Sequence, residues 1–244
     1  MLGFGKSDVG KVRANNEDAI YVNNEGPTPL PNLFIVADGM GGHNAGDVAS
    51  KKAISAFCEY FNDNSDYVYV EDFLADALLY ANVQVHTDAQ ADTSLSGMGT
   101  TLSAVTTDAD NLYYAHVGDS RIYIVSESHI MQITRDHSLV AEMTERGIIT
   151  KEEAMCHPEK NVITRAVGTD IHVNVDKGYF PLDNVKYILI CSDGLTNMVV
   201  DAEIYDIMMS ETKMQEKVDC LIAKANEAGG DDNISVIVMG WVEK

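Results

Sequence analysis

Four times in this chain a strand-like apolar run meets an aspartate, and that recurrence limits the possible folds more than any other feature. LFIVA (33–37) runs into Asp38-Gly39, LYYAHVG (112–118) into Asp119-Ser120, and YILICS (187–192) into Asp193-Gly194. The fourth case is reversed: Gly229-Gly230-Asp231-Asp232-Asn233 leads into ISVIVMGW (234–241). One such Asp is an ordinary turn residue. Four far-separated segments that each place a carboxylate at the mouth of a buried strand point to one shared cleft. A glycine next to the Asp lets the backbone turn sharply and brings its own carbonyl near whatever the cleft holds.

The rest of the pattern says how those strands are arranged. Thr101 to Thr106 and Leu112 to Val117 flank DADN, and Arg121 to Val125 and Ile130 to Thr134 flank SESH. Both pairs read as antiparallel hairpins, and Ala19 to Val22 pairs with Leu33 to Ala37 across a proline-rich loop. Helical spacing (i, i+3, i+4, i+7) appears at Ile54, Phe57, Cys58 and Phe61, again from Leu74 to Ala81, and late in the chain from Val218 to Ala225. Thr150 with Glu153 forms a capping box for a short helix. Hairpins exclude an all-parallel sheet. The simplest burial is sheet on sheet with helices outside, an α+β fold in four layers, α/β/β/α. No proline- or serine-rich linker and no repeat divides the 244 residues, so a single domain over 1–244 is expected.

Charge narrows the function. Asp and Glu number 38 against 17 Lys and Arg, a net −21. That field repels phosphate backbones and anionic lipid, so no nucleic acid and no membrane is expected as a partner. The four cysteines are widely spaced and none has an arginine six positions on, which removes the C-x5-R loop of cysteine phosphatases. With no signal peptide and no run of roughly 18 apolar residues, a cytoplasmic protein is expected.

Carboxylates that converge on one cleft repel unless a cation neutralises them. Oxygen-only ligands select hard ions such as Mg²⁺ or Mn²⁺, and no Cys and His set suits zinc. Two such ions could activate water and orient a phosphoryl group for in-line attack. Arg13, just before Asn15-Asn16-Glu17-Asp18, is the candidate cation for the phosphate, because a guanidinium holds two phosphoryl oxygens at once.

Eight segments in order carry a wider likeness: SDVGKVRANNED (7–18), FIVADGMGGHNAGDVAS (34–50), GMGTTLSAV (97–105), AHVGDSRIYIV (115–125), QITRDHSLV (132–140), HPEKNVITRAVG (157–168), ILICSDGLTNMV (188–199) and GGDDNISVIVM (229–239). Together they resemble the successive motifs of metal-dependent PP2C-type (PPM) serine/threonine protein phosphatases, the bacterial single-domain branch above all. The resemblance runs from about Ser7 to Val242. It implies the same four-layer sandwich and hydrolysis of phosphoserine and phosphothreonine by a metal-bridging hydroxide, with no covalent enzyme intermediate. It also implies that Asp38 bridges two Mg²⁺ or Mn²⁺ ions, that the Gly39 carbonyl joins one of them, and that Asp193 and Asp232 hold the other. Asp119, with Asp193, matches a third metal position. Arg13 matches the phosphate-binding arginine, while Glu17 and Asp18 match acids that hold metal-bound waters or brace the site. The segment 137–164 matches the flap beside the cleft.

Met40 stands where many eukaryotic members have a histidine that protonates the leaving group. The general acid is therefore left between His43 and a metal-bound water. His116, His137 and His157 read as structural. The implied partners are phosphoproteins that a bacterial serine/threonine kinase has modified, and the expected state is a monomer. The rival reading is a catalytically weak or dead family member that binds phosphoproteins or regulates them; the complete carboxylate set argues against it.

Overall fold

The computed structural model describes residues 1–41 and 45–241. In chain order the elements are β1 (Leu2–Asp8), β2 (Asp18–Asn23), β3 (Leu33–Met40), α1 (Ala45–Asp63), α2 (Val70–Ala91), β4 (Gly99–Thr100), β5 (Leu102–Thr107), β6 (Asn111–Val117), β7 (Arg121–Ser126) and β8 (Ile130–Gln132). They continue with α3 (Leu139–Glu145), α4 (Lys151–Met155), β9 (Asp176–Pro181), β10 (Val185–Cys191), α5 (Asp193–Thr196), α6 (Asp201–Met209), α7 (Met214–Glu227) and β11 (Ile234–Gly240). One sheet has the order β1-β11-β10-β7-β8 and the other β2-β3-β5-β6-β9, with β4 paired to β3. Every ladder is antiparallel. No helix among the described residues is long and apolar enough to cross a membrane.

Three apolar layers separate four structural ones, because successive side chains of a strand face opposite sides. On β3, Leu33, Ile35 and Ala37 pack against Ala49, Phe57, Leu74 and Leu78 of α1 and α2. The intervening Phe34 and Val36 meet Ile122 and Ile124 of β7, Ile188 and Ile190 of β10, and Ile237 of β11 in the layer between the sheets. Leu189 and Cys191 of β10 and Val236 of β11 turn outward onto Ile204 of α6 and Leu221 of α7. The expected four-layer sandwich is what the chain forms.

The three predicted strand pairs all form. In the DADN turn Asp108 Oδ1 accepts the amides of Asp110 and Asn111 at 2.9 and 2.8 Å. The capping box closes too, with Thr150 N donating to Glu153 Oε2 at 2.7 Å and Glu153 N to Thr150 Oγ1 at 3.1 Å. Two strands carry little sequence signal. β1, LGFGKSD, is weakened by two glycines, and β9, DKGYFP, holds a glycine and a proline; both are edge strands, where such residues are tolerated.

Candidate active site

Parity along the strands explains why the cleft lies where it does. The side chains of β2, β3, β5, β6, β10 and β11 that face the inter-sheet layer are apolar in mid-sandwich. At one end the same faces carry Asp18, Asp38, Ser103, His116, Ser192 and Ser235. Asp18 opens β2 and lies directly across from Asp38 in the β2–β3 register. Asp193 is the first residue of α5, Asp119 sits in the β6–β7 turn, and Asp232 lies two residues before β11. The four strand-end aspartates therefore meet, and Asp18 joins them.

Their electrostatics record the crowding. Burial, and then the charges of Asp18, Asp193, Asp119 and Asp232, hold the Asp38 carboxyl well above the usual carboxylate range. Asp119 is pushed the same way by burial and by Asp193. Burial raises Asp18 to about 7, although the hydrogen bond from the Ser192 hydroxyl opposes the shift. Asp193 is raised by burial and by Asp232, while Arg121 and the hydrogen bond from Asn197 work against the shift. Glu17, in the loop before β2, is raised by burial, with Arg13 opposing.

Few donors serve this much negative charge. Ser192 Oγ donates to Asp18 Oδ2 at 2.8 Å, and Asn197 Nδ2 to Asp193 Oδ2 at 2.9 Å. Arg13 Nη2 reaches Asp232 Oδ2 at 2.8 Å from a half-exposed position at the mouth. Among the described residues, the buried Asp18 Oδ1 and Asp119 Oδ1 accept from no protein group. Orphaned buried carboxylate oxygens, mutual repulsion and oxygen-only donors are what a hard divalent cation would relieve, so these residues fit such an ion. No three acid, His or Cys side chains among the described residues form a ready-made cage. Mg²⁺-type sites do not require one, since the ion keeps several waters and takes only one or two carboxylates.

The backbone around the cleft is packed tightly enough to fix it. A Cβ on Gly39 would stand 2.1 Å from the Gly46 carbonyl oxygen and 2.5 Å from that of Glu17, so only glycine lets the α1 N-terminus close onto β3. The Asp38 carbonyl accepts Thr101 N at 2.8 Å and Thr100 Oγ1 at 2.9 Å, and Asp38 N donates to Thr101 Oγ1 at 2.9 Å. Thr101 Oγ1 in turn lies 2.7 Å from Ser120 Oγ, next to Asp119. Asn233 accepts the Glu17 amide at 2.8 Å and donates to the carbonyls of Val9 and Asn15, both at 2.9 Å. The sequence reading missed Thr101, Ser120, Ser192 and Asn233. A hydroxyl closing the apolar run YILICS was the signal for Ser192, whereas Ser120 lies in the β6–β7 turn and carried none. His43, the candidate acid, lies outside the described residues.

Comparison with known proteins decides the family. The model of the protein phosphatase 2C family matches residues 10–226. The chain belongs to that family. It is 40% identical over 239 residues to the serine/threonine phosphatase stp of Listeria welshimeri, covering 96% of this chain and 93% of that one. The crystal structure of the serine/threonine phosphatase Stp1 from Staphylococcus aureus superposes with a TM-score of 0.93 at 34% identity, over all of this chain and 96% of that one. The catalytic domain of the serine/threonine protein phosphatase PstP, solved in complex with two manganese ions, matches with a TM-score of 0.85 at 33% identity, covering 99% and 98% of the two chains. These relatives give no support to the reading of a dead binding module.

In this 2C-family chain the segment 137–164, expected from the sequence to be a flap, has a clear base. Thr164 N donates to the His137 carbonyl and Leu139 N to that of Val162, both at 2.8 Å, and Ser138 bridges to Ile163. Between those stems, from Leu139 to Arg165, no residue is buried. Ile148 and Met155 are 61% and 60% exposed.

Proposed function

We propose that this chain is a single-domain phosphatase, spanning 1–244, that removes phosphate from phosphoserine and phosphothreonine in proteins with the help of Mg²⁺ or Mn²⁺. The observation that carries the reading is the carboxylate cluster of Asp18, Asp38, Asp119, Asp193 and Asp232, with two buried oxygens that lack any protein partner among the described residues. Asp38 and the Gly39 carbonyl would hold one ion, Asp193 and Asp232 a second, and Asp119 with Asp193 a third. A bound ion would supply Lewis-acid polarisation of the phosphoryl group and a water acidic enough to react at neutral pH.

The remaining chemistry belongs to the chain itself. Arg13 stands at the mouth with its fork of donors, suited to grip two phosphoryl oxygens and hold phosphorus in line. Asp18 accepts Ser192 Oγ and sits opposite Asp38, so it braces the floor. Glu17 is fixed by its amide on Asn233 and its carbonyl on Ser50 Oγ, which directs its carboxyl beside Asp47 and Arg13. Four free cysteines agree with a reducing, cytoplasmic setting. Phosphoproteins made by a serine/threonine kinase are the substrates in this reading, and the protein works as a monomer.

The test is phosphate release from a phosphothreonine peptide with Mn²⁺, with Mg²⁺ and with EDTA. Release that needs either ion and disappears in EDTA is expected. A folded protein that released nothing with any ion would return the assignment to a binding module.

A further inference from the structure

One histidine touches both the flap base and the Asp119 turn. The His137 amide donates to the Gly118 carbonyl at 2.8 Å, and the Gly118 amide donates back to His137 Nδ1 at 3.0 Å. The His137 carbonyl accepts Thr164 N, the first bond of the flap base. Nδ1 can accept only if it is bare, so the ring proton sits on Nε2. Nε2 faces Asp176 Oδ2 at 3.2 Å. Arg165 Nη1 is also near Nε2, but both atoms bear hydrogen, so the guanidinium bonds instead to Asp176 Oδ1 at 2.6 Å and the Asn174 carbonyl at 3.1 Å. The entering stem of the flap thus supplies the ring, and the exit stem, through Arg165, holds the aspartate that orients it. Burial lowers the pKa of His137, which keeps the ring neutral and Nδ1 an acceptor.

On the other side of that bond is the turn that carries Asp119, held on its far flank by Ser120 Oγ, 2.7 Å from Thr101 Oγ1. Gly118 has a φ of +112°, and a Cβ there would stand 2.5 Å from Thr101. Asp119 follows immediately, with one oxygen lacking any partner among the described residues. From Leu139 to Arg165 no residue is buried, so among the described residues the segment is tied to the body chiefly by its base and by the exposed ion pair of Glu145 with Arg135.

We propose that His137 is a positioning residue that couples the flap to the Asp119 carboxylate, so that the aim of Asp119 follows the setting of the flap base. The inference rests on the reading that Asp119 serves the phosphatase site. His137 itself touches no reacting atom.

Two variants separate the ring nitrogens. His137→Asn keeps an acceptor where Nδ1 stands, and His137→Gln keeps only a group near Nε2. Exchange of the Gly118 amide is followed by NMR in EDTA, and kcat, KM and the Mn²⁺ concentration for half-maximal rate on a phosphothreonine peptide are measured alongside. His137→Gln is expected to speed Gly118 exchange at least tenfold, lower kcat about tenfold with KM within twofold, and raise the Mn²⁺ requirement severalfold. His137→Asn stays within threefold of the parent on each. Unchanged kcat and Mn²⁺ requirement in His137→Gln despite lost protection would overturn the proposal, as would equal losses in both variants. If His137→Gln does not fold, Asp176→Ala, which leaves the Gly118 turn alone, should lower kcat two- to threefold with the same Mn²⁺ shift; no change there would also overturn it. A parent protein inactive with every ion would defeat the phosphatase reading instead. Gly118 exchange and Mn²⁺ binding by calorimetry would then still decide whether the coupling exists.

Discussion

The carboxylate floor and the flap lie side by side, and their stability comes from different sources. The floor is over-determined: Asp38 is held through its own amide and carbonyl, Glu17 by Asn233 and Ser50, and Asp18 by Ser192. Within that rigid frame the side chains repel one another, so the site is a place of stored charge. The flap is the reverse. It has good local helices, each with a side-chain cap, but buries nothing beyond its base. A rigid frame around unfavourable charge suits an ion site, which needs ligands fixed before the ion arrives. A locally ordered, globally loose segment suits an element that must give way.

The comparison breaks first, and furthest, at Asp38. Asp38→Ala should cut kcat on a phosphothreonine peptide by at least about a thousandfold at saturating Mn²⁺, while the melting temperature in EDTA stays level or rises because a repelling charge is gone. A large loss of thermal stability would show that the carboxylate holds the fold together. Away from the site the expectation inverts. Ile190→Ala, in the layer between the sheets, should cost about 2–5 kcal/mol, seen as a melting temperature lower by roughly 2–4 °C for each kcal/mol, with activity at low temperature retained.

A smaller effect comes from pH. Asp18 titrates near 7 in the fold against an ordinary 3.8. Between those values the folded state holds the extra proton, so its contribution to stability falls as pH rises. Asp38, Asp119 and Asp193 act in the same direction. The buried histidines oppose them: His116, pushed down to about 4 by burial, favours the fold as pH rises towards 6.5, and His137 shifts the same way. Four carboxyls against two imidazoles give a melting temperature in EDTA that is higher at pH 5 than at pH 7.5, and Mn²⁺ should erase the difference at the higher pH. Asp18→Asn should flatten the profile; a slope unchanged by that substitution would mean that Asp18 does not carry it.

The smallest effect belongs to the flap. Ile148→Ser combined with Met155→Ser should move the melting temperature by no more than about 2 °C, as substitutions on an exposed surface do. A drop comparable to that of Ile190→Ala would mean that the flap is packed onto the body.

The floor was easier to read from sequence than its supports. Asp38, Asp119, Asp193 and Asp232 announce themselves because each interrupts an apolar run, and a charge at the end of a buried strand has few explanations. Ser192 and Thr101 do not, since a hydroxyl in a strand is common and its partner lies far away in sequence. His137 read as structural because its two partners, Gly118 and Asp176, are brought to it by different strands. For the fold, long apolar periodicities located α1, α2, α7 and the central strands. The edge strands β1 and β9 depend on pairing with β11 and β6, which no local window contains.

That pairing of β1 with β11 has a consequence for how the protein comes into being. Leu2 lies opposite Gly240 and Asp8 opposite Ile234, and Arg13 grips an aspartate 219 residues further on. A ribosome releases the chain from its N-terminus, so the first strand waits for its neighbour until synthesis has reached β11. Asp232 and Asn233 emerge only just before that neighbour, and without them Arg13 lacks its aspartate and Glu17 keeps only the bonds to its carbonyl. In a nascent chain of this wiring the candidate site is incomplete until β11 and the residues just before it have been made.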